Sequence, residues 1–271
     1  MKRALLIFCI VAGLSGGCNS DSRQLLEQAE ARWREGNYDD AIRLNTLLYE
    51  REQTGRYARL ALLNIGNIYY LNLRKIADAI ETYKKLVETF PQSEEELKAR
   101  SQLAAIYANE LGDLTQAVAE YDRLLESEDL QNRQEILVRR ANAYFSLGSI
   151  DRALRELRQV EDAGLKDELG DQVRLKIGNI YQMKKQYDDA AAYFEPVVGS
   201  SCRDCRRRAL IHLSETYEAL YRFDRAIDTI QKLEPSPENR RLVEREVARL
   251  KEKQRKAEIK PAPDWVRSPH R

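Results

Sequence analysis

Apolar residues are laid out along this chain in two different ways. Ala4 to Leu14 form an unbroken apolar run behind Met1-Lys2-Arg3. That run is too short to cross a bilayer as a helix and has the order of an export signal, positive and then apolar. Beyond it, small and large residues recur as a unit. Ile65-Gly66-Asn67-Ile68-Tyr69 returns as Ile177-Gly178-Asn179-Ile180-Tyr181, with a weaker echo at Arg140-Ala141-Asn142-Ala143-Tyr144. A second block, Gly36-Asn37-Tyr38-Asp39-Asp40-Ala41 in its first copy, follows at a near-constant offset. Its last alanine recurs as Ala79, Ala117, Ala153, Ala190 and Ala226, at intervals of 36 to 38 residues. Long stretches between these blocks lack glycine and proline, so the spacing predicts helices throughout and an all-α fold. Residues 238–258 read as one further amphipathic helix, with Leu242, Val243, Val247 and Leu250 on one side. Residues 259–271 lose the helical period and read as a flexible tail.

The period and the order of small and aromatic positions resemble the tetratricopeptide repeat, a helix-turn-helix unit of about 34 residues. In the second copy Gly66 and Tyr69 fall on the first helix, Ala79 and Tyr83 on the second, and Pro91 closes the unit. In the fifth, Gly178, Tyr181, Ala190 and Phe194 take these roles. The fourth copy has Leu157 at the aromatic position, and the second and third carry an extra residue between helices. The resemblance implies six repeats over residues 21–234, stacked as a superhelical solenoid, with 238–258 as the capping helix. Small residues would let the paired helices approach, and the tyrosines would fill the wedge toward the next pair. It also implies that the first helix of each unit lines a concave groove, where Asn67, Asn142 and Asn179 recur at one position. Side-chain amides can donate to and accept from a peptide backbone; equally, asparagine suits a half-exposed helical position. Tyr70 and Phe145 lie one turn on and are either contact surface or inter-repeat core. The expected partner is a protein or peptide segment in the groove, not a small molecule.

The apolar run ends in Leu14-Ser15-Gly16-Gly17-Cys18, which resembles the lipobox of bacterial lipoproteins, with Ser15 where the family prefers leucine. The resemblance implies a signal peptide over 1–17, lipidation at Cys18 with palmitate-type chains, a short linker over 18–20, and a membrane partner through the lipid. Asn19 is not the aspartate linked to inner-membrane retention, so the expected location is the periplasmic face of the outer membrane.

Composition narrows the function. The 45 Lys+Arg against 44 Asp+Glu lack the basic excess that nucleic-acid binding draws on, so no nucleic acid is expected. With only His212 and His270 as histidines, no nucleophile-base pair or His-Glu-x-x-His motif can be assembled; neither enzymatic activity nor a cofactor is expected. Glu94-Glu95-Glu96 reads as a solvated helical face. Cys202 and Cys205 remain beside Cys9 and Cys18, and in an oxidising compartment their spacing favours a disulfide. A redox-active pair is the alternative, with Arg206, Arg207 and Arg208 supplying positive charge. His212 alone cannot complete a four-ligand zinc site, so no metal is expected. The layout is similar to the repeat lipoproteins of β-barrel assembly and of pilus secretin assembly, which makes an interaction scaffold in the envelope the first reading. A periplasmic redox or cell-wall-associated protein using Cys202 and Cys205 is the second.

Overall fold

A computed structural model describes residues 15–165, 167–233 and 236–259. The expected signal peptide up to residue 14 and the expected tail from residue 260 lie outside the described residues. So do the side chains of residues 15–19, Cys18 included.

Among the described residues there are thirteen α-helices and no strand, and successive helices pack in pairs. The chain divides after Gln131 into two compact units. The first holds three hairpins: α1 (Ser15–Arg34) with α2 (Tyr38–Glu52), α3 (Arg56–Asn67) with α4 (Ile76–Thr89), and α5 (Glu94–Asn109) with α6 (Leu114–Glu126). The second holds α7 (Arg133–Ser146) with α8 (Ile150–Asp162), α9 (Glu168–Met183) with α10 (Tyr187–Phe194), and α11 (Arg203–Ala219) with α12 (Phe223–Ile230). There α13 (Pro237–Ile259) packs against α12.

The periodic alanines explain the hairpins. Ala41, Ala79, Ala117, Ala153, Ala190 and Ala226 are all wholly inaccessible, each on the second helix of its pair. Opposite them sit small residues of the first helix. At Gly66 and Gly178 an added methyl would overlap the ring of Tyr83 or Phe194. The helices therefore approach closely only because one side of the contact has no side chain. In the sixth pair Ser214 takes the small position, and its hydroxyl donates to the Ala226 carbonyl at 2.8 Å. In the first pair Asn45 stands where the others carry Tyr83, Tyr121, Leu157, Phe194 or Ile230; it is wholly buried, with its amide donating to the Ala41 carbonyl at 2.8 Å.

Every hairpin turns through one left-handed residue: Gly36, Arg74, Gly112, Gly148, Lys185 and Tyr221, at φ between 54° and 78°. Four of these turns close in the same way. The amides of Asn37, Ser149, Gln186 and Arg222 donate to the carbonyls of Arg32, Tyr144, Tyr181 and Tyr217, at 2.8–2.9 Å. This arrangement satisfies carbonyls that a helix end would otherwise leave unpaired. The extra residue of the second repeat is absorbed before its turn. Ile68–Asn72 forms a π-helical turn, with the Leu73 amide donating to the Ile68 carbonyl at 3.0 Å.

One expectation is corrected. Glu95 and Glu96 are buried rather than solvated, at 6% and 7% exposure. Glu95 pairs with Arg59 of α3 at 2.8 Å. Glu96 binds Arg100, which also reaches Glu120 of α6 at 2.9 Å. Glu96 further accepts the Gln92 amide, while Ser93 caps α5 by accepting the Glu96 amide at 3.1 Å. Each buried carboxylate persists because it is paired with an arginine, and at Glu96 the second oxygen also meets an N–H.

Candidate functional site

The asparagines of the repeated pentapeptide lie on the first helices of their hairpins, Asn67 on α3, Asn142 on α7 and Asn179 on α9. In the first unit Asn67 is half-buried on α3, and its Oδ1 accepts from the Tyr83 hydroxyl at 2.8 Å. Burial pushes the Tyr83 phenol far above its ordinary range, with Tyr70 adding to the effect, so Tyr83 stays a neutral donor. One lone pair of the Asn67 Oδ1 is therefore committed to Tyr83, while its NH₂ is not engaged among the described residues. Tyr70 is also engaged. Its hydroxyl lies 3.4 Å from Glu110, the Arg74 guanidinium stands 5.6 Å from its ring centroid, and Arg74 reaches Glu110 at 2.7 Å. Burial and then Glu110 raise the Tyr70 phenol. Trp33 of α1 donates to Asn72 of the π-helical turn at 2.8 Å, so this aromatic edge is cross-linked between the first two hairpins.

The second unit offers freer groups. Asn142 is exposed on α7 and has no hydrogen-bond partner among the described residues; Phe145, one turn on, is half-buried. On α9 the half-buried Asn179 has its Oδ1 enclosed without a partner. The half-buried Lys176, one turn before it, has no carboxylate partner among the described residues, and its ammonium is held below its ordinary range by burial and by Arg208. His212 of α11 stacks on Phe194 at 5.5 Å and lies 3.3 Å from Glu215.

Sequence reading missed a further surface. Large apolar side chains are exposed at the ends of the first helices: Leu71 and Leu111 in the first unit, and Leu147, Met183 and Tyr221 in the second. Each sits within three residues of the left-handed turn residue or is that residue, a register the turn positions could have revealed.

At the other end of α11, Cys202 and Cys205 are joined in a disulfide across the first turn of the helix. Cys202 is the N-cap, its sulfur accepting the Cys205 amide at 3.2 Å. Ser200 accepts the Cys202 amide at 2.9 Å and donates to Asp171 of α9. The Arg206 guanidinium donates to the Ser200 carbonyl at 2.8 Å.

Helical hairpins recur through both units in the pattern of the tetratricopeptide repeat. Family models for that repeat match residues 60–93 and the overlapping stretches 103–168 and 138–201. Among solved structures the chain is similar to a tetratricopeptide repeat protein from Parabacteroides merdae, at 18% identity over 92% of this chain and 97% of that one, TM-score 0.59. It is also similar to PilW, described as a widely conserved type IV pilus biogenesis factor, at 16% identity over 82% and 98% of the two chains, TM-score 0.55. The third is pilF of Pseudomonas aeruginosa, at 11% identity over 80% and 92%, TM-score 0.56. At these identities the likeness is one of fold. No curated protein matches the sequence.

Proposed function

We propose that the protein is a non-catalytic scaffold that holds segments of other envelope proteins, tethered by lipid on Cys18 to the periplasmic face of the outer membrane. The observation that carries the scaffold reading is the set of groups left available on the first helices. Asn142 is exposed and has no partner among the described residues, Asn67 retains its NH₂, and apolar side chains at the helix ends border the same hairpin turns. Amides that both donate and accept, beside apolar surface, suit an extended peptide or an amphipathic helix. The tether rests on Met1-Lys2-Arg3, the apolar run and Cys18. Two acyl chains hold a soluble domain stably at a bilayer, which one chain does not. The likeness to PilW and pilF favours envelope assembly of the pilus or secretin kind, with β-barrel assembly as its sister reading.

The test is affinity capture from detergent-solubilised envelopes, comparing the native chain with Asn67→Ala/Asn142→Ala/Asn179→Ala and with Cys18→Ala. A partner lost in the triple variant, together with release of Cys18→Ala to the soluble fraction, supports both halves of the reading. Equal recovery by the native and triple variants removes the asparagines from the interface. Membrane retention of Cys18→Ala removes the lipid.

A further inference from the structure

The first turn of α9 brings Glu168 to the two cysteines at the start of α11, more than thirty residues further along the chain. A carboxylate oxygen of Glu168 and the sulfurs of Cys202 and Cys205 all lie within 4.8 Å of one another. Cys205 is buried, Cys202 half-buried and Glu168 exposed, so the group is anchored on the protein side and open on the Glu168 side. We propose that once the Cys202–Cys205 bond is reduced, these three side chains form a binding site for a divalent cation of the zinc class, with water as the fourth donor.

The donor set suits that ion. Thiolates select zinc over calcium and magnesium, and a carboxylate is a common companion. Zinc–sulfur and zinc–oxygen bonds of about 2.3 and 2.0–2.2 Å place tetrahedral donors roughly 3.3–3.8 Å apart. The observed spread therefore closes with side-chain rotation. The surroundings hold the ligands in place: Ser200 bridges the Cys202 amide to Asp171, which in turn is held by Arg174 at 3.2 Å. That chain ties the loop carrying Cys202 to the same helix that carries Glu168, as supporting contacts around metal ligands do.

The chemistry balances with a dithiol as reductant. It delivers two electrons and two protons to the Cys202–Cys205 bond and leaves as its own disulfide, and the cation then displaces both thiol protons. The two states differ in what they join. The disulfide spans a separation of three residues and closes only the first turn of α11. A cation shared with Glu168 would fasten α9 to α11, the first helices of two successive hairpins.

The full chain, reduced with a phosphine and freed of reductant without air, is titrated with Cd²⁺ and then Zn²⁺. Readouts are the thiolate-to-cadmium ultraviolet band, competition with a chromophoric chelator, and hydrogen exchange across α9 and α11. Circular dichroism checks that each variant folds. The expected result is one ion per chain at this site in the reduced protein and none in the oxidised one. Glu168→Gln should weaken binding at least about tenfold, as loss of even a supporting contact does. Amides at the starts of both α9 and α11 should exchange more slowly with metal than with the disulfide. Cys202→Ser/Cys205→Ser reports any metal held by Cys9 and Cys18. Binding that survives in this double variant, binding indifferent to Glu168→Gln, or no cadmium band at all overturns the proposal.

Discussion

Asn67 and Asn179 occupy the same place in two copies of one pentapeptide, yet their amide oxygens meet different surroundings. In the second repeat the aromatic residue across the hairpin is Tyr83, whose hydroxyl donates to Asn67. In the fifth it is Phe194, which packs against Gly178 as Tyr83 packs against Gly66 but has no hydroxyl, and Asn179 Oδ1 is left enclosed and unpaired. An enclosed acceptor without a donor is destabilising, and a hydrogen bond restores on the order of 1 kcal/mol. Phe194→Tyr is therefore expected to stabilise the protein by about 1 kcal/mol, read as a rise in the denaturant midpoint at unchanged slope. The same substitution in an Asn179→Ala background should give no such gain. If the gain persists there, the hydroxyl has found another acceptor and Asn179 is not its partner.

The hairpin turns show what a helix end asks of one residue. Three of the six left-handed positions carry glycine, while Arg74, Lys185 and Tyr221 hold the same backbone shape with a side chain. Strain of roughly 1–2 kcal/mol at such a residue, offset by the extra freedom glycine gives the unfolded chain, leaves about 0.5–1 kcal/mol in favour of Lys185→Gly. Gly148→Ala meets no neighbouring atom and should shift the thermal midpoint the opposite way through backbone strain alone. The last helix depends on charge instead. Burial alone would raise the Glu218 carboxyl, but hydrogen bonds from Arg249, one of them 2.6 Å, and from Lys253 outweigh it and hold the group below its ordinary range. Because the folded value is depressed, the stabilisation is present above the unfolded value of about 4.3 and is lost as pH falls through the folded value. Amide exchange in α13, corrected for intrinsic rate, should therefore accelerate below about pH 4. Glu218→Gln should weaken α13 docking by about 1–2 kcal/mol at neutral pH and flatten that dependence. The hairpins were legible in sequence because alanines and glycines mark close approach locally. Glu95 was not, because Arg59, which neutralises it, comes from another hairpin. Glu168 was equally hidden, since only folding brings it to the two cysteines.

Within each unit, close packing runs mainly between elements near in sequence, from α1 against α2 to α5 against α6 in the first and from α7 against α8 to α12 against α13 in the second. Such a unit is held by a series of neighbouring contacts. The same feature explains why the candidate binding face was only partly legible. The repeat register placed Asn67, Asn142 and Asn179 at one helical position, but which amide atoms stay available depends on the residue across each hairpin. The local wiring also has a mechanical side. Drawn out by its ends in an optical trap, the chain should give way as a ladder of similar rips, one hairpin at a time. A hairpin of 36 to 38 residues releases roughly 12–13 nm when fully extended. A single rip releasing the whole length would contradict this, for it would mean that no hairpin holds once its neighbour has gone.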